Sequence, residues 1–317
     1  MKSKTPSPSV RPFAVAVPPA WVAARSGALD IGEAAFSAGA GLLSLDTVVR
    51  AEPVWAGAWR QRQALKCAVA AVRLIGRRED EAALRDAWLL RRPDDGPGPA
   101  GDILSAYRKL AGRAQTIDIE RLREIVLLLG LRWGARFGEI PDMLAELLAA
   151  RRPAPFAAAA CVAEISAMDP GSEILGWWLA DWVLAQSLRW PRPVPLLMAE
   201  RHGAAFRGAV GSGRIRPGAP GFERAVCVAL TEACLDSCRL AAVIDRRAER
   251  LIEVAPKLRA KGAGDVIALL LDDDAVSGGL QTLKLSRWAS RRLFERLVFF
   301  DAVRELSGRD TFRIYGL

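Results

Sequence analysis

The chain has 317 residues, of which 51% are hydrophobic and 26% charged, and its formal net charge is +9. This composition excludes a wholly disordered chain, and the length is enough for one large core or two domains. Only seven of the 45 basic residues are Lys. Arginine suits phosphate because its planar fork donates two hydrogen bonds at once, although background composition accounts for most of this excess.

The five cysteines are odd in number and lack the spacing of a secreted disulfide framework. We therefore expect a reducing compartment. The N-terminal apolar run, residues 13–17, is too short for a signal peptide and precedes two prolines. Since no uninterrupted apolar stretch reaches the length of a membrane span, we expect a cytoplasmic protein without membrane contact.

Residues 1–18 are basic and rich in Pro and Ser, which predicts a flexible tail. From residue 19 to 254, apolar residues recur at helical spacing with short breaks, which predicts an all-α, multi-helical body. The expected helices of this body cover residues 32–51, 56–76, 79–90, 101–112, 117–129, 141–150, 155–167, 171–188, 195–201 and 221–254.

The predicted helix 171–188 is apolar on all sides and carries three tryptophans. A helix of this kind is usually buried at the centre of a fold. Asp181 lies within it and needs a partner, because an unpaired buried carboxylate is costly. We expect a structural ion pair, and a catalytic acid is the less favoured alternative.

The helix that begins at residue 221 carries a seam of mostly small residues, spaced alternately three and four. The seam residues are Cys227, Leu230, Cys234, Ser237, Ala241, Ile244, Ala248 and Leu251. Small side chains let another helix approach closely. We favour a partner helix within the chain, and the alternative is a homodimer through the Cys227–Leu251 helix.

Candidate catalytic and metal-binding residues are few. His202 is the only histidine, and no nucleophile-elbow sequence accompanies it. Cys227, Cys234 and Cys238 share one helical face, which favours packing over a zinc site. An enzyme is therefore the least favoured class, and we predict no catalytic, metal or cofactor-binding residues.

Two further stretches have an anion-binding or cation-binding alternative. The Gly-rich segment 207–221 lacks the Gly-Lys-Ser/Thr ending of a P-loop, so we expect a mobile surface loop. Asp272, Asp273 and Asp274 lie in a row without spaced oxygen ligands. We interpret them as a solvated helix exit and not as a cation site.

Residues 255–317 have a different pattern from the body, namely a helix, a basic helix and a hairpin. Ser286 is a candidate helix cap, and Gly308 supports a tight reversal between strands. The second strand alternates, with Phe312 and Ile314 on one side. This order resembles a winged helix-turn-helix, although the stretch expected to form its middle helix has room for about one turn. We therefore predict a small C-terminal winged-helix-like domain (α plus β-hairpin).

The last 37 residues carry eight basic and four acidic side chains, a net charge of +4. This density favours contact with phosphate, and a helix in the major groove can present arginine to guanine edges. The leading hypothesis is therefore a regulatory protein that binds double-stranded DNA. The candidate DNA-binding residues are Arg287, Trp288, Arg291, Arg292, Arg309 and Arg313.

The alternative is a non-catalytic protein-interaction module. In this interpretation the hairpin docks on the helical body or on a partner, and Trp288 packs against the body. The exposure of Trp288 separates the two hypotheses, because a buried ring favours docking and an exposed ring favours a ligand.

Several long stretches carry a family resemblance, among them "RAEPVWAGAWRQRQALK", "WWLADWVLAQSLRWPRPVPLL" and "AVRELSGRDTFRIYGL". With them, the chain from about residue 30 onward resembles the domain of unknown function 1403 family, found mainly in alphaproteobacteria. The resemblance implies a bacterial cytoplasmic protein without an established activity, and it supplies no catalytic residues.

Overall fold

The computed structural model describes residues 15–23, 29–91, 95–112, 116–208 and 213–317. Of the predicted tail, residues 1–14 lie outside these ranges. Val15, at the first described position, already packs against the hydrophobic core, and Pro18 is buried.

The described ranges are mainly α-helical, as the periodicity predicts. The helices are α1 (Ile31–Ala51), α2 (Ala56–Leu74), α3 (Glu81–Leu89), α4 (Gly98–Ala111), α5 (Ile119–Leu128), α6 (Ile140–Ala149), α7 (Ala154–Met168), α8 (Glu173–Ser187), α9 (Leu197–Glu200), α10 (Phe222–Val254), α11 (Ala263–Asp272) and α12 (Arg287–Phe299). The prediction of an all-α body with a small α and β part at its C-terminus is confirmed.

Side-chain caps fix where several helices begin. Asp30, Asp80 and Asp118 precede α1, α3 and α5, and each carboxylate accepts a hydrogen bond from the backbone N–H three residues later. Ser286 caps α12 in the same way, since its Oγ accepts from the N–H of Ala289 at 3.3 Å. These bonds satisfy amides that otherwise lack a partner in the first helical turn.

The core is built around two pairs of closely packed helices. In α8, every residue from Ile174 to Ala185 is buried. A Cβ at Gly176 would lie 3.2 Å from the Cα of Val162 in α7, so only glycine allows this approach without displacement. Gly41 of α1 has a similar position against Cys234 of α10. Small residues at these contacts bring the helix axes close together.

The predicted seam of α10 is packed inside the chain. All eight seam residues are buried, and the seven other than Ser237 belong to the same core cluster as the inward side chains of α1. Trp59 of α2 also reaches the seam, where its indole N–H donates to the carbonyl oxygen of Ser237 at 3.0 Å. A partner helix within the chain therefore accounts for the small seam residues.

Asp181 is buried, as expected, but its partners are not those predicted. Its two carboxylate oxygens accept hydrogen bonds from the backbone N–H groups of Leu196 and Leu197, at 2.8 and 3.1 Å. The expected ion pair is therefore wrong. The carboxylate instead holds the start of α9. Burial raises the pKa of Asp181 to about 7, although the two hydrogen bonds favour the charged form and by themselves lower the pKa.

A small antiparallel sheet lies near the C-terminus. Its strands are β1 (Val276–Ser277), β2 (Arg304–Glu305) and β3 (Ile314–Gly316), in the spatial order β1-β3-β2. β1 has no counterpart in the sequence prediction, and β3 is shorter than the alternation over 311–315 suggests. Residues 278–286 form a connection closed by a bridge between Thr282 and Leu285, which agrees with the limited room for a middle helix.

Two of the three consecutive aspartates, Asp273 and Asp274, differ from the expectation of a solvated helix exit. Asp274 is only 5% exposed, and its carboxylate contacts the guanidinium groups of Arg62 on α2 and Arg85 on α3. Asp273 accepts two hydrogen bonds from Arg108 on α4, at 2.8 and 2.9 Å. Asp272 is exposed, as expected for a solvated helix exit. Asp273 and Asp274 are not part of such an exit, because they anchor the C-terminal segment (residues 255–317) to the helical body.

Close backbone approach and a second contact complete this attachment. A Cβ at Gly57 would lie 2.7 Å from the Cα of Asp272, and one at Gly316 would lie 3.3 Å from a terminal guanidinium nitrogen of Arg62 on α2. At the far end of α12, Arg250 of α10 donates to the carbonyl oxygen of Phe300 at 3.0 Å. The C-terminal segment thus contacts the body at both ends of its helical part.

We expect Asp274→Ala to lower the free energy of unfolding by about 3–5 kcal/mol, because it leaves two buried guanidinium groups without their shared carboxylate. Urea denaturation of the full chain measures this loss. Asp310→Ala, at an exposed carboxylate, is the control and should change stability by less than about 0.5 kcal/mol. A loss below about 1 kcal/mol for Asp274→Ala would contradict the anchoring role.

We also expect Asp181→Asn to change the pH dependence of stability. Between about pH 4 and pH 7, folded Asp181 keeps a proton that the unfolded chain releases, so its contribution to stability falls as pH rises. The variant lacks this loss, and its stability relative to the wild type should rise with pH by at most about 1.4 kcal/mol per unit. Urea denaturation at several pH values checks the slope, and a constant difference from pH 4 to 7 would refute it.

Candidate functional site

The outward face of α12 carries exposed cations beside an exposed aromatic ring. Arg287, Arg291 and Arg292 are exposed, and we call these three residues the basic face. Trp288 is 67% exposed, and the guanidinium carbon of Arg292 lies 4.7 Å from its ring centroid. Within the described ranges, no acidic side chain forms an ion pair with the basic face.

Packing on the opposite side of α12 fixes this orientation. Leu293, Phe294 and Leu297 are buried. The ring of Phe294 stacks on Tyr315 of β3, with 4.6 Å between centroids and 10° between planes. Because this stack holds the helix against the sheet, rotation of α12 about its axis would expose Phe294, and the basic face therefore stays directed to solvent.

A groove of about 400 Å³ separates α12 from the β2–β3 loop (residues 306–313). Arg287, Arg291 and Glu295 line its helix side, and Phe312 and Arg313 line its loop side. The groove is open, contains more cationic than anionic side chains near α12, and has backbone from residues 278–279 along it. With Asp310 on the loop side, the groove lining contains three arginines and two carboxylates.

Two of the sequence-predicted residues have different surroundings from the basic face. The guanidinium of Arg309 binds both carboxylate oxygens of Asp86 on α3, at 2.5 and 2.6 Å, and also donates to the carbonyl oxygen of Phe312. This contact with Asp86 raises the pKa of Arg309. Arg313 donates to the carbonyl oxygen of Arg309 at 3.2 Å and remains partly exposed in the groove.

The structure therefore brings together Arg287, Arg291 and Arg313 in the groove, with Trp288 and Arg292 beside it, and directs Arg309 toward the body. Sequence reasoning missed Asp86, because no local pattern connects it with a residue 223 positions later. It also missed the surface position of Phe312, which strand alternation assigned to the same side as Ile314.

The other candidate catalytic and metal-binding residues are partly or fully buried within the fold. His202 contacts the carbonyl oxygen of Ala70 at 3.1 Å, and burial lowers its pKa. The thiols of Cys227, Cys234 and Cys238 are buried, and burial raises their pKa. Among the residues that the structure describes, no three or more His, Cys, Asp or Glu side chains gather in a way that could hold a metal ion.

The Gly-rich segment is described in part. Residues 209–212, at its centre, lie outside the described ranges. Arg214, within this segment, donates to the backbone carbonyl oxygens of Arg201, His202 and Gly203. Its guanidinium therefore ties the segment to the body.

We expect Asp86→Asn to loosen the β2–β3 loop while leaving global stability within about 1 kcal/mol, since Asp86 and Arg309 are each about a third exposed. Hydrogen exchange should become faster at the amide of Leu306, which donates to the carbonyl oxygen of Ile314. Asp310→Asn, in the same loop but exposed, is the control. Equal exchange in Asp86→Asn and the wild type would show that the ion pair does not hold the loop.

Within the described ranges, every helix is too short or too polar to span a bilayer.

Comparison with known proteins identifies a family for this chain. No curated protein matches the chain. A family described as "Protein of unknown function (DUF1403)" matches residues 10–317, which is nearly the whole length. The chain therefore belongs to the DUF1403 family.

Proposed function

We propose that this protein binds double-stranded DNA through α12 and acts as a DNA-associated, regulatory-type protein. One observation carries the proposal, namely that Arg287, Arg291 and Arg292 are exposed and lack acidic partners among the described residues, next to the exposed Trp288. Elsewhere the protein neutralises many of its arginines, for example Arg62, Arg85 and Arg108.

Unpaired arginines on one face favour a polyanionic ligand. Each phosphate that they neutralise releases condensed counterions, which drives association at low salt. Their forked donors also fit the O6 and N7 atoms of guanine in the major groove. Arg287 and Arg291 lie in the first two turns of α12, the part that a recognition helix directs at base edges.

The surrounding topology supports a winged-helix interpretation. The chain order is α11, β1, α12, β2 and β3, and the C-terminal strand β3 lies between the other two. In this arrangement the β2–β3 loop extends beside α12 as a wing, and the groove between them can hold one strand of a duplex backbone. Arg313 on the loop side then contacts phosphate opposite Arg287 and Arg291.

A second candidate is a protein-interaction surface on the same helix. Phe299, on α12, is 83% exposed, and Leu283, just before the start of α12, is fully exposed. Exposed apolar side chains beside Arg and Trp are typical of the centre of a protein interface. In this alternative, the contact between Arg309 and Asp86 fixes the hairpin on the body, and the face of α12 binds a protein partner.

Titration of the full chain against a mixed-sequence duplex, followed by fluorescence anisotropy at several salt concentrations, tests the proposal. We expect binding at low salt and at least a tenfold loss in Arg291→Ala with Arg292→Ala. The slope of log K against log salt should fall by about 2, since each lost phosphate contact removes about 0.9.

A matched control variant loses two positive charges at another place on the protein surface. Arg132 and Arg136 are also exposed, lie on the body and have no ion pair within the described ranges. Arg132→Ala with Arg136→Ala should bind nearly as the wild type does. Absence of wild-type binding at low salt, or equal losses in the two double variants, would refute specific contact by α12. Capture of a protein partner that depends on Arg291 and Arg292, without nucleic acid, would support the second candidate.

A further inference from the structure

Phe312, in the β2–β3 loop, has an unusual backbone conformation. Its φ angle is +53°, in the left-handed region that bulky side chains rarely adopt. The other non-glycine residues with positive φ in the described ranges each follow a helix, where a left-handed residue is a common ending. These residues are Glu52, Arg151, Arg189 and Asp301. Phe312 does not have this explanation, and glycine would adopt its conformation at lower cost.

Contacts with the body hold this conformation. The carbonyl oxygen of Phe312 accepts hydrogen bonds from Nε and one terminal nitrogen of Arg309, at 3.3 and 3.0 Å. The same guanidinium binds both carboxylate oxygens of Asp86 on α3. Glu305 accepts hydrogen bonds from the Ser307 hydroxyl and the Arg309 amide, which pins the start of the loop. The loop is therefore built to keep Phe312 in one orientation.

That orientation leaves the ring in solvent and beside the groove. Phe312 is 59% exposed and lines the groove with Arg313, across from Arg287 and Arg291 of α12. Packing of the fold does not require an exposed ring at this position, and burial of apolar area does not repay its backbone strain. Strain of this kind, held by surrounding contacts, is typical of residues that contact a ligand.

We propose that Phe312 is an apolar wedge that contacts the bases of duplex DNA bound against α12 and the β2–β3 loop, and that Arg309 and Asp86 are positioning residues for it. This inference rests on the proposed function. Proteins that bend DNA insert apolar side chains between base steps and partly unstack them. Pyrimidine–purine steps unstack most readily, so duplexes with such steps are the preferred ligand class.

Phe312→Gly tests the wedge, because glycine adopts the left-handed conformation without strain and removes the ring. Thermal stability should stay equal to that of the wild type or rise. Binding of the full chain to a mixed-sequence duplex should weaken at least about fivefold, from the loss of aromatic contact with a base. Phe36→Ala, at an exposed ring on α1, is the control and should leave binding unchanged.

Base unstacking provides a second measurement. The probes are duplexes that carry 2-aminopurine at a single pyrimidine–purine step, whose fluorescence rises when the base leaves its stack. The wild type should raise this fluorescence, and Phe312→Gly should not. Unchanged affinity and unchanged fluorescence in Phe312→Gly would overturn the wedge while the proposed function stands. If the wild type binds none of these duplexes, both the wedge and the proposed function are overturned.

The positioning residues are tested by non-additivity. Asp86→Ala should weaken binding and reduce the 2-aminopurine signal in the wild-type background, and Asp86→Glu should restore part of both. In the Phe312→Gly background, Asp86→Ala should cause no further loss, because the residue acts through the orientation of the ring. Equal losses from Asp86→Ala in the two backgrounds would refute the positioning role.

Discussion

The buried carboxylate of Asp274 is the contact on which the arrangement of the C-terminal segment depends. It lies between Arg62 and Arg85, while the adjacent Asp273 binds Arg108, so three body helices converge on two consecutive residues. Charges in a poorly solvated site attract strongly but are costly to leave unpaired. The C-terminal segment is therefore attached to the body by a contact that tolerates little displacement. Burial and the nearby Arg85 lower the pKa of Arg62 to about 9, which still leaves its guanidinium charged at neutral pH.

The helical body follows closely from the sequence, because its signals are local. Apolar residues at helical spacing mark each long helix, and the all-round apolar pattern of 171–188 correctly indicates the buried α8. The interpretation of Asp273 and Asp274 as part of a solvated helix exit failed for the opposite reason. Their partners lie between 165 and 212 positions earlier in the chain, and consecutive aspartates look the same in the sequence whether they face water or arginines. Asp181 failed in a similar way, since its partners are backbone amides that no sequence pattern marks.

The candidate site was predicted in part. Arg287, Trp288 and Arg291 lie on the helical face opposite Leu293 and Leu297. The helical period alone therefore predicts their exposure. The β2–β3 loop was less accessible to such reasoning. Strand alternation assumes extended backbone at every residue, and the left-handed conformation of Phe312 breaks that assumption two positions before Ile314. The role of Arg309 depends on a carboxylate from α3, which composition does not reveal.

The length of α10 has a consequence for how α12 is carried. Its 33 residues span about 50 Å, from Phe222, packed on Trp177 in the core, to the turn where Arg250 holds the end of α12. Because α10 is held by contacts at both ends, α12 has a fixed distance from the centre of the body. Under the proposed function, a duplex that contacts α12 is therefore held at one distance from the centre of the body.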